Sequence, residues 1–233
     1  MNSLCAYKER GMRSILISPI SIGTKLYGVL RLESKTPNIF YLEESRVLRI
    51  ICDSAAIILE RAYLFNEIKE LAIRDSLTNL FLRNYFLERF NEEIKRTSIK
   101  KTKFGVVILD VDDFKNINDT YGHKVGDLVL RKISAIIQKN IGNSGNIAAR
   151  IGGEEFIFLL VESDENKVKS IAEKIRKEVA SSTVSFRRKN IHFTISLGLA
   201  MYPKDGATVQ DIIMAADKML YKAKTEGKNR LCF

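Results

Sequence analysis

Two short acidic segments of this chain have the residue types to do chemistry together. Leu109-Asp110-Val111-Asp112-Asp113-Phe114-Lys115 is an apolar strand that ends abruptly in acids and a lysine. Gly152-Gly153-Glu154-Glu155-Phe156 sets two carboxylates beside an apolar strand, behind a glycine pair that suits a hairpin turn. Carboxylates and backbone amides converging where a strand stops suit a divalent cation that carries a triphosphate. That chemistry requires both segments at one place, so the elements between them decide whether it is available.

Downstream of Asp75 the spacing predicts helix over about 84–96, strand over 104–110 and helix over about 127–140. Strands follow over 147–151 and 155–161, joined by Gly152-Gly153, then a helix over about 165–181. A hairpin of strands (about 183–187 and 191–201), a helix (about 208–225) and a short strand (229–233) close the chain. Strands alternating with helices indicate a layered αβ domain. A strand–helix–strand crossover keeps its two strands parallel, with room for one strand between them. If the strand after Gly153 turns back into that gap, Asp110 and Glu154 occupy the same sheet edge. A helix N-terminus or an irregular turn over 111–115 would then aim amide hydrogens at bound phosphate.

The upstream part reads differently. Residues 14–22 and 26–34 alternate apolar and polar around Gly23-Thr24-Lys25, which predicts a β-hairpin. From Glu43 to Arg74 there is no Gly or Pro, and Ile50, Ile57, Leu64 and Leu71 recur every seven residues. Val47 and Ile68 extend this seam, while Ser54 and Arg61 interrupt it. A long helix is expected; its stripe serves either a short parallel coiled coil or packing on the hairpin. The seam ends near Asp75-Ser76-Leu77-Thr78, a sequence suited to capping a turn, which puts the domain boundary between residues 74 and 75.

Composition bounds the alternatives. The 233 residues suffice for one large or two small domains. No apolar run approaches the ~18 residues of a membrane span. A polar N-terminus (Met1 to Gly11) does not read as a secretory signal. Cys5, Cys52 and Cys232 are scattered without metal-ligand spacing, as expected of reduced thiols in the cytoplasm. The net charge of +10 invites a nucleic-acid reading, but its lysines and arginines lie among acids, as at Lys95-Arg96 and Arg187-Arg188-Lys189. With no recognition-helix or RNA-binding signature, a field that attracts an anionic small molecule explains the charge, and no nucleic-acid partner is expected.

From about Asp75 to Phe233 the chain resembles the GGDEF family of diguanylate cyclases, here with the motif as GGEEF. The resemblance rests on several spaced motifs in order: Asp75-Ser76-Leu77-Thr78, Leu109–Lys115, Asn116-Ile117-Asn118-Asp119-Thr120-Tyr121-Gly122-His123, Gly126-Asp127, Arg150-Ile151-Gly152-Gly153-Glu154-Glu155-Phe156, Ser196-Leu197-Gly198, and Ala216-Asp217 with Tyr221-Lys222-Ala223-Lys224. It implies a nucleotidyl-cyclase-like, ferredoxin-like palm with a central, mainly antiparallel sheet flanked by helices. It also implies condensation of two GTP into cyclic di-GMP, with two pyrophosphates released and one GTP half-site per protomer.

Residue roles follow from the same resemblance. Asp110, the Val111 carbonyl and Glu154 would hold Mg²⁺, or Mn²⁺ in its place; Asp112 would support the turn or join them. The backbone of Asp113 and Phe114, with Lys115, would hold terminal phosphates. Asn118 and Asp127 would read guanine, the amide on its O6/N3 edges and the carboxylate on N1–H and N2–H. For Asp127 a helix N-cap or a pair with Arg131 is an alternative or an additional role. Gly152 and Gly153 would let backbone approach the ribose and α-phosphate, and Glu155 would assist deprotonation of the attacking hydroxyl. Lys224 would contact phosphate; Lys228 stands where arginine is common, so its contact would be less directional.

Two departures matter. Many members carry an inhibitory Arg-x-x-Asp product site, whose places fall here on Asn143 and Asn146, so weak product inhibition is expected. Leu82 stands where the family usually has Asn. Residues 14–65 resemble the C-terminal part of a GAF domain, and the Ile50–Leu71 helix would hold two half-sites as a homodimer. The competing reading is a GTP-binding signalling regulator without turnover.

Overall fold

The computed structural model describes residues 11–142, 144–187 and 189–233, apart from the side chains of Lys69, Leu71 and Ala72. Met1–Arg10 with Cys5, and Asn143 and Arg188, lie outside the described residues. The chain divides into two compact units, Met1–Glu70 and Leu71–Phe233.

In the first unit, β1 (Ser14–Ile22) and β2 (Lys25–Ser34) pair antiparallel around a turn in which Gly23 has a positive φ of 55°. The helix α1 (Leu42–Ile73) buries Leu48, Cys52 and Ala56, one residue per turn on a single face. That face meets the hairpin, where the Cys52 thiol donates to the Ser18 carbonyl at 3.8 Å. The seven-residue stripe lies elsewhere: Ile50 and Ile68 are both 65% exposed, and Ile57 and Leu64 are about half exposed. Packing on the hairpin, one of the two expectations for this stripe, therefore does not account for it.

The second unit is built on a six-stranded sheet. Its members are β3 (Phe81–Leu82), β4 (Phe104–Val111), β5 (Ile147–Arg150), β6 (Glu155–Leu160), β9 (Ile195–Tyr202) and β10 (Leu231–Cys232). Their order is β10-β9-β4-β6-β5-β3, with β4 antiparallel to both neighbours. Since β6 is antiparallel to β4 and to β5, those two run parallel with β6 in the gap, as the crossover argument requires. Strand β4 is buried throughout, which explains its unbroken apolar run.

Helices cover both faces. Against one face pack α3 (Phe114–Tyr121), α4 (His123–Ile141) and α5 (Glu165–Ser181), through Ile117, Val129 and Ile175 among others. Against the other pack α2 (Arg83–Lys100) and α6 (Val209–Thr225), through Phe86, Phe90, Ile212 and Leu220. Gly198 sets the closeness of that second layer, because a Cβ there would lie 2.1 Å from the Ala216 carbonyl of α6. Helix α5 starts at Asp164, whose carboxylate accepts from the Lys167 amide, and α6 at a Thr208–Asp211 capping box.

Of the two alternatives for residues 111–115, a helix N-terminus is what the chain forms, since α3 starts at Phe114. Two other expectations need correction. Helix α4 starts at His123, ahead of Asp127, after Gly122 at a positive φ of 85°. The strand expected over 191–201 is two: β8 (Lys189–His192) pairs only with β7 (Thr183–Phe186), whereas β9 joins the main sheet.

Candidate functional site

The site lies where β4 leaves the sheet. Side-chain alternation along β4 sends Val107, Leu109 and Val111 to the α4–α5 layer and Val106, Ile108 and Asp110 to the α2–α6 layer. Asp110 stands opposite Glu155 of β6 and Ser196 of β9, so these three share a face. The Val111 amide donates to the Glu154 carbonyl at 3.3 Å, which brings the two acidic segments to one rim. The α6 layer supplies Lys224, whose ammonium lies 2.9 Å from Asp110 Oδ2.

The electrostatics follow from that geometry. Asp110 is only 6% exposed, and burial pushes its carboxyl up despite the hydrogen bond from Lys224. Burial also raises Glu154, and the negative charge of Asp110 adds to it. Two carboxylates that each resist ionisation beside the other form a place where added positive charge is welcome. Among the described residues no group of three or more His, Cys, Asp or Glu forms a metal cage. Carboxylate oxygens are hard donors that suit a divalent cation able to complete its shell with water instead of an all-protein cage.

Asp112 has a different task. It is buried, accepts from the Thr194 and Ser196 hydroxyls at 2.6 Å each, and accepts from the Asn229 amide at 3.0 Å. These bonds tie the end of β4 to β9 and to the C-terminal segment. Of the two roles considered for Asp112, turn support is the one the geometry carries. Thr194 and Asn229 had no signal in the sequence, since nothing local links them to β4.

Beyond Asp112 the chain reverses through Asp113, in the left-handed region at φ 54°, into α3. The cap has no side-chain hydrogen bond, so the first-turn amides around Phe114 and Lys115 have no side-chain acceptor there. Phe114 is buried and Lys115 exposed. Lys228 reaches back to Asp113 Oδ1 at 2.6 Å, and that bond holds its pKa above the ordinary lysine value.

Gly126, which precedes Asp127, packs against Asn118. A Cβ at Gly126 would lie 2.1 Å from Asn118 Oδ1, so the Asn118 side chain holds its present position only beside a glycine. That buried Oδ1 has no hydrogen-bond partner, an acceptor left over by the fold. Asp127 follows on an exposed part of α4. It is neither the N-cap, a position held by Gly122, nor an ion-pair partner of Arg131 among the described residues.

At the glycine pair, neither Gly152 nor Gly153 has a positive φ, so the mirror-type hairpin turn is absent. A Cβ at Gly152 would meet Glu155 Oε2 at 2.5 Å, while one at Gly153 would face open space. Backbone at Gly153 is therefore open to close approach. Asp110, Val111, Glu154, Glu155 and Lys224 thus meet at one rim, and Asp113, Phe114, Lys115 and Lys228 gather at the adjoining turn.

Residues 72–230 match the family model described as "Diguanylate cyclase, GGDEF domain". The chain is 35% identical over 218 residues to Diguanylate cyclase A of Treponema denticola, covering 91% of this chain and 57% of that protein. It is 37% identical over 193 residues to the probable diguanylate cyclase DgcT of Escherichia coli, covering 80% of this chain and 42% of that one. The chain thus spans about half the length of these relatives. Among solved structures, the coiled coil and GGDEF domain of DgcB from Caulobacter crescentus, in complex with c-di-GMP, superposes with a TM-score of 0.71 at 29% identity, covering 82% of this chain and 99% of that one.

Proposed function

We propose, given that the chain belongs to the GGDEF family of diguanylate cyclases, that it condenses two GTP into cyclic di-GMP and two pyrophosphates through the GGEEF motif at Gly152–Phe156. The observation that carries this reading is the meeting of Asp110 and Glu154 at one rim, with Lys224 on Asp110.

Asp110, the Val111 carbonyl and Glu154 would hold Mg²⁺ or Mn²⁺, which when bound supplies charge neutralisation for the leaving phosphates. The amides around Asp113 and Phe114, with Lys115 and Lys228, bind the triphosphate tail. Lys224 holds positive charge beside the same oxygens. The Asn118 amide, on the O6/N3 edges, and the exposed Asp127 carboxylate, on N1–H and N2–H, orient guanine. Gly152 and Gly153 admit the ribose and α-phosphate, and Glu155, on the Asp110 face, takes the 3′-hydroxyl proton. In each step the O3′–P bond forms as the bond from that phosphorus to pyrophosphate breaks. The protein contributes position and fixed charge.

One GTP per copy makes two facing copies necessary. The exposed stripe of Ile50, Ile57, Leu64 and Ile68 gives α1 a face suited to a parallel homodimer. The hairpin and α1 serve as the GAF-like regulatory support. Product inhibition through an Arg-x-x-Asp site is weak: Asn143 lies outside the described residues, and Asn146 is engaged by backbone, donating to the Ile141 carbonyl at 2.6 Å and accepting from the Val161 amide at 2.9 Å. No helix among the described residues is long and apolar enough to cross a membrane, and the cytoplasm, where GTP resides, is the proposed location.

The deciding experiment incubates purified chain with GTP and Mg²⁺ over a range of protein concentrations and follows cyclic di-GMP by mass spectrometry. Product whose specific rate rises with protein concentration supports the reading. A chain that binds GTP and makes no product at any concentration is instead a silent regulator.

A further inference from the structure

The glycine pair has a second side. Toward the β3 edge of the sheet, a cavity of about 490 Å³ adjoins Gly152 and Gly153 and is lined by Asp75, Leu82, Arg83, Asn84, Arg150 and Ile151. Its charges are unequally used. Arg150 is committed to Asp75 and to the Gly153 carbonyl. Arg83, at the first turn of α2, is exposed and has no hydrogen bond, ion pair or ring contact among the described residues. The Asp75–Arg150 pair cancels, so Arg83 gives this cavity its net positive charge. Beside it, Leu82 is an exposed apolar residue on the same wall.

Resting on the GTP condensation above, we propose that this cavity receives the ribose and α-phosphate of the GTP carried by the facing copy, with Arg83 as the positioning residue. The argument is geometric. The attacking 3′-oxygen must come within about 3–3.5 Å of the α-phosphorus held at Gly153. Asp110, Glu154 and Lys224 already occupy one flank of that turn. The incoming nucleotide therefore arrives over Gly153, where a Cβ would meet nothing within 4 Å, and its body lies on the cavity flank. By two-fold symmetry each copy offers the same flank to the other. A guanidinium fork there engages phosphate oxygens that a copy's own nucleotide does not present to it. Leu82 offers an apolar ledge to the sugar, where an amide would compete for the same phosphate.

The test compares parent, Arg83→Met and Arg83→Lys. Three readouts are used: steady-state cyclic di-GMP formation, binding of the α,β-methylene analogue of GTP, and the thermal midpoint. The proposal expects Arg83→Met to lower kcat about tenfold to a hundredfold, as loss of one charge-assisted contact does. KM, analogue affinity and midpoint should stay within about twofold or a degree or two, because the copy's own half-site is intact. Arg83→Lys should recover part of the rate. Turnover of Arg83→Met within about twofold of the parent overturns the proposal. So does a fall in analogue affinity that matches the loss of kcat/KM, which would place Arg83 on the copy's own nucleotide. Failure of the underlying reading has a separate signature, a parent chain that makes no cyclic di-GMP.

Discussion

Asp75 and Arg150, 75 residues apart in sequence, form a partly buried ion pair at 3.2 Å beside the glycine turn. The same guanidinium donates to the Gly153 carbonyl at 2.6 Å. Asp75 also accepts from the amide and hydroxyl of Thr78 at 2.9 and 2.6 Å, so the first turn of the unit braces the glycine turn.

Asp75→Asn should lower stability by about 1–3 kcal/mol and turnover more than GTP affinity, because the turn loosens. The pH dependence has a definite sign. Burial raises the Asp75 pKa, but Thr78 and Arg150 outweigh it and hold the group below its ordinary 3.8. A depressed folded pKa gives stability that is complete above the unfolded value and lost as pH falls through the folded one. The gap in thermal midpoint between parent and Asp75→Asn should therefore be constant above about pH 5 and close below pH 4.

Glu154→Gln should abolish cyclic di-GMP formation, by a factor of at least about a hundred, with circular dichroism and thermal midpoint close to the parent. The amide keeps the shape but withdraws the charge that an ion needs. Unchanged turnover in the purified variant would remove Glu154 from the ion site.

Gly126→Ala tests the contact between α3 and α4. Its Cβ would meet Asn118 Oδ1 at 2.1 Å and Phe114 Cζ at 3.0 Å, so the Asn118 side chain must move. KM for GTP should rise by about tenfold or more, and discrimination of GTP against ATP should weaken. Retained KM and discrimination would show that Asn118 does not read the base.

Asn146→Asp restores the carboxylate of the inhibitory motif on paper, yet should not restore inhibition. It replaces a donor to the Ile141 carbonyl with an acceptor, at a cost of about 1–3 kcal/mol. Titration calorimetry with cyclic di-GMP should show no gain in affinity, and the thermal midpoint should fall. Micromolar binding created by this change would show that the turn is free to present a ligand.

Much of the rim was legible in sequence because its signals are local or topological. The apolar run of β4 marks a strand buried on both faces, and the crossover argument places β6 beside it before any contact is known. Helix α3 was less legible because Asn116, Asn118 and Asp119 are weak helix formers in an eight-residue element. The start of α4 was hidden by Gly126, which reads as a breaker but serves as a contact to Asn118. Across 191–201 one apolar pattern conceals two strands, since alternation reports burial and not the identity of the partner. The partners of Asp112 lie 82 to 117 residues away and leave no local trace.

The bond from the Asn229 amide to Asp112 makes the tail a keystone. Removing the chain from Asn229 onward would spare Asp110, Glu154, Glu155 and Lys228, yet it would unlatch the loop between β4 and α3 from below. A shortened protein of that kind should keep its spectrum of secondary structure and lose its grip on triphosphate. Shortening from this end thus acts on the acidic rim as directly as a substitution within it.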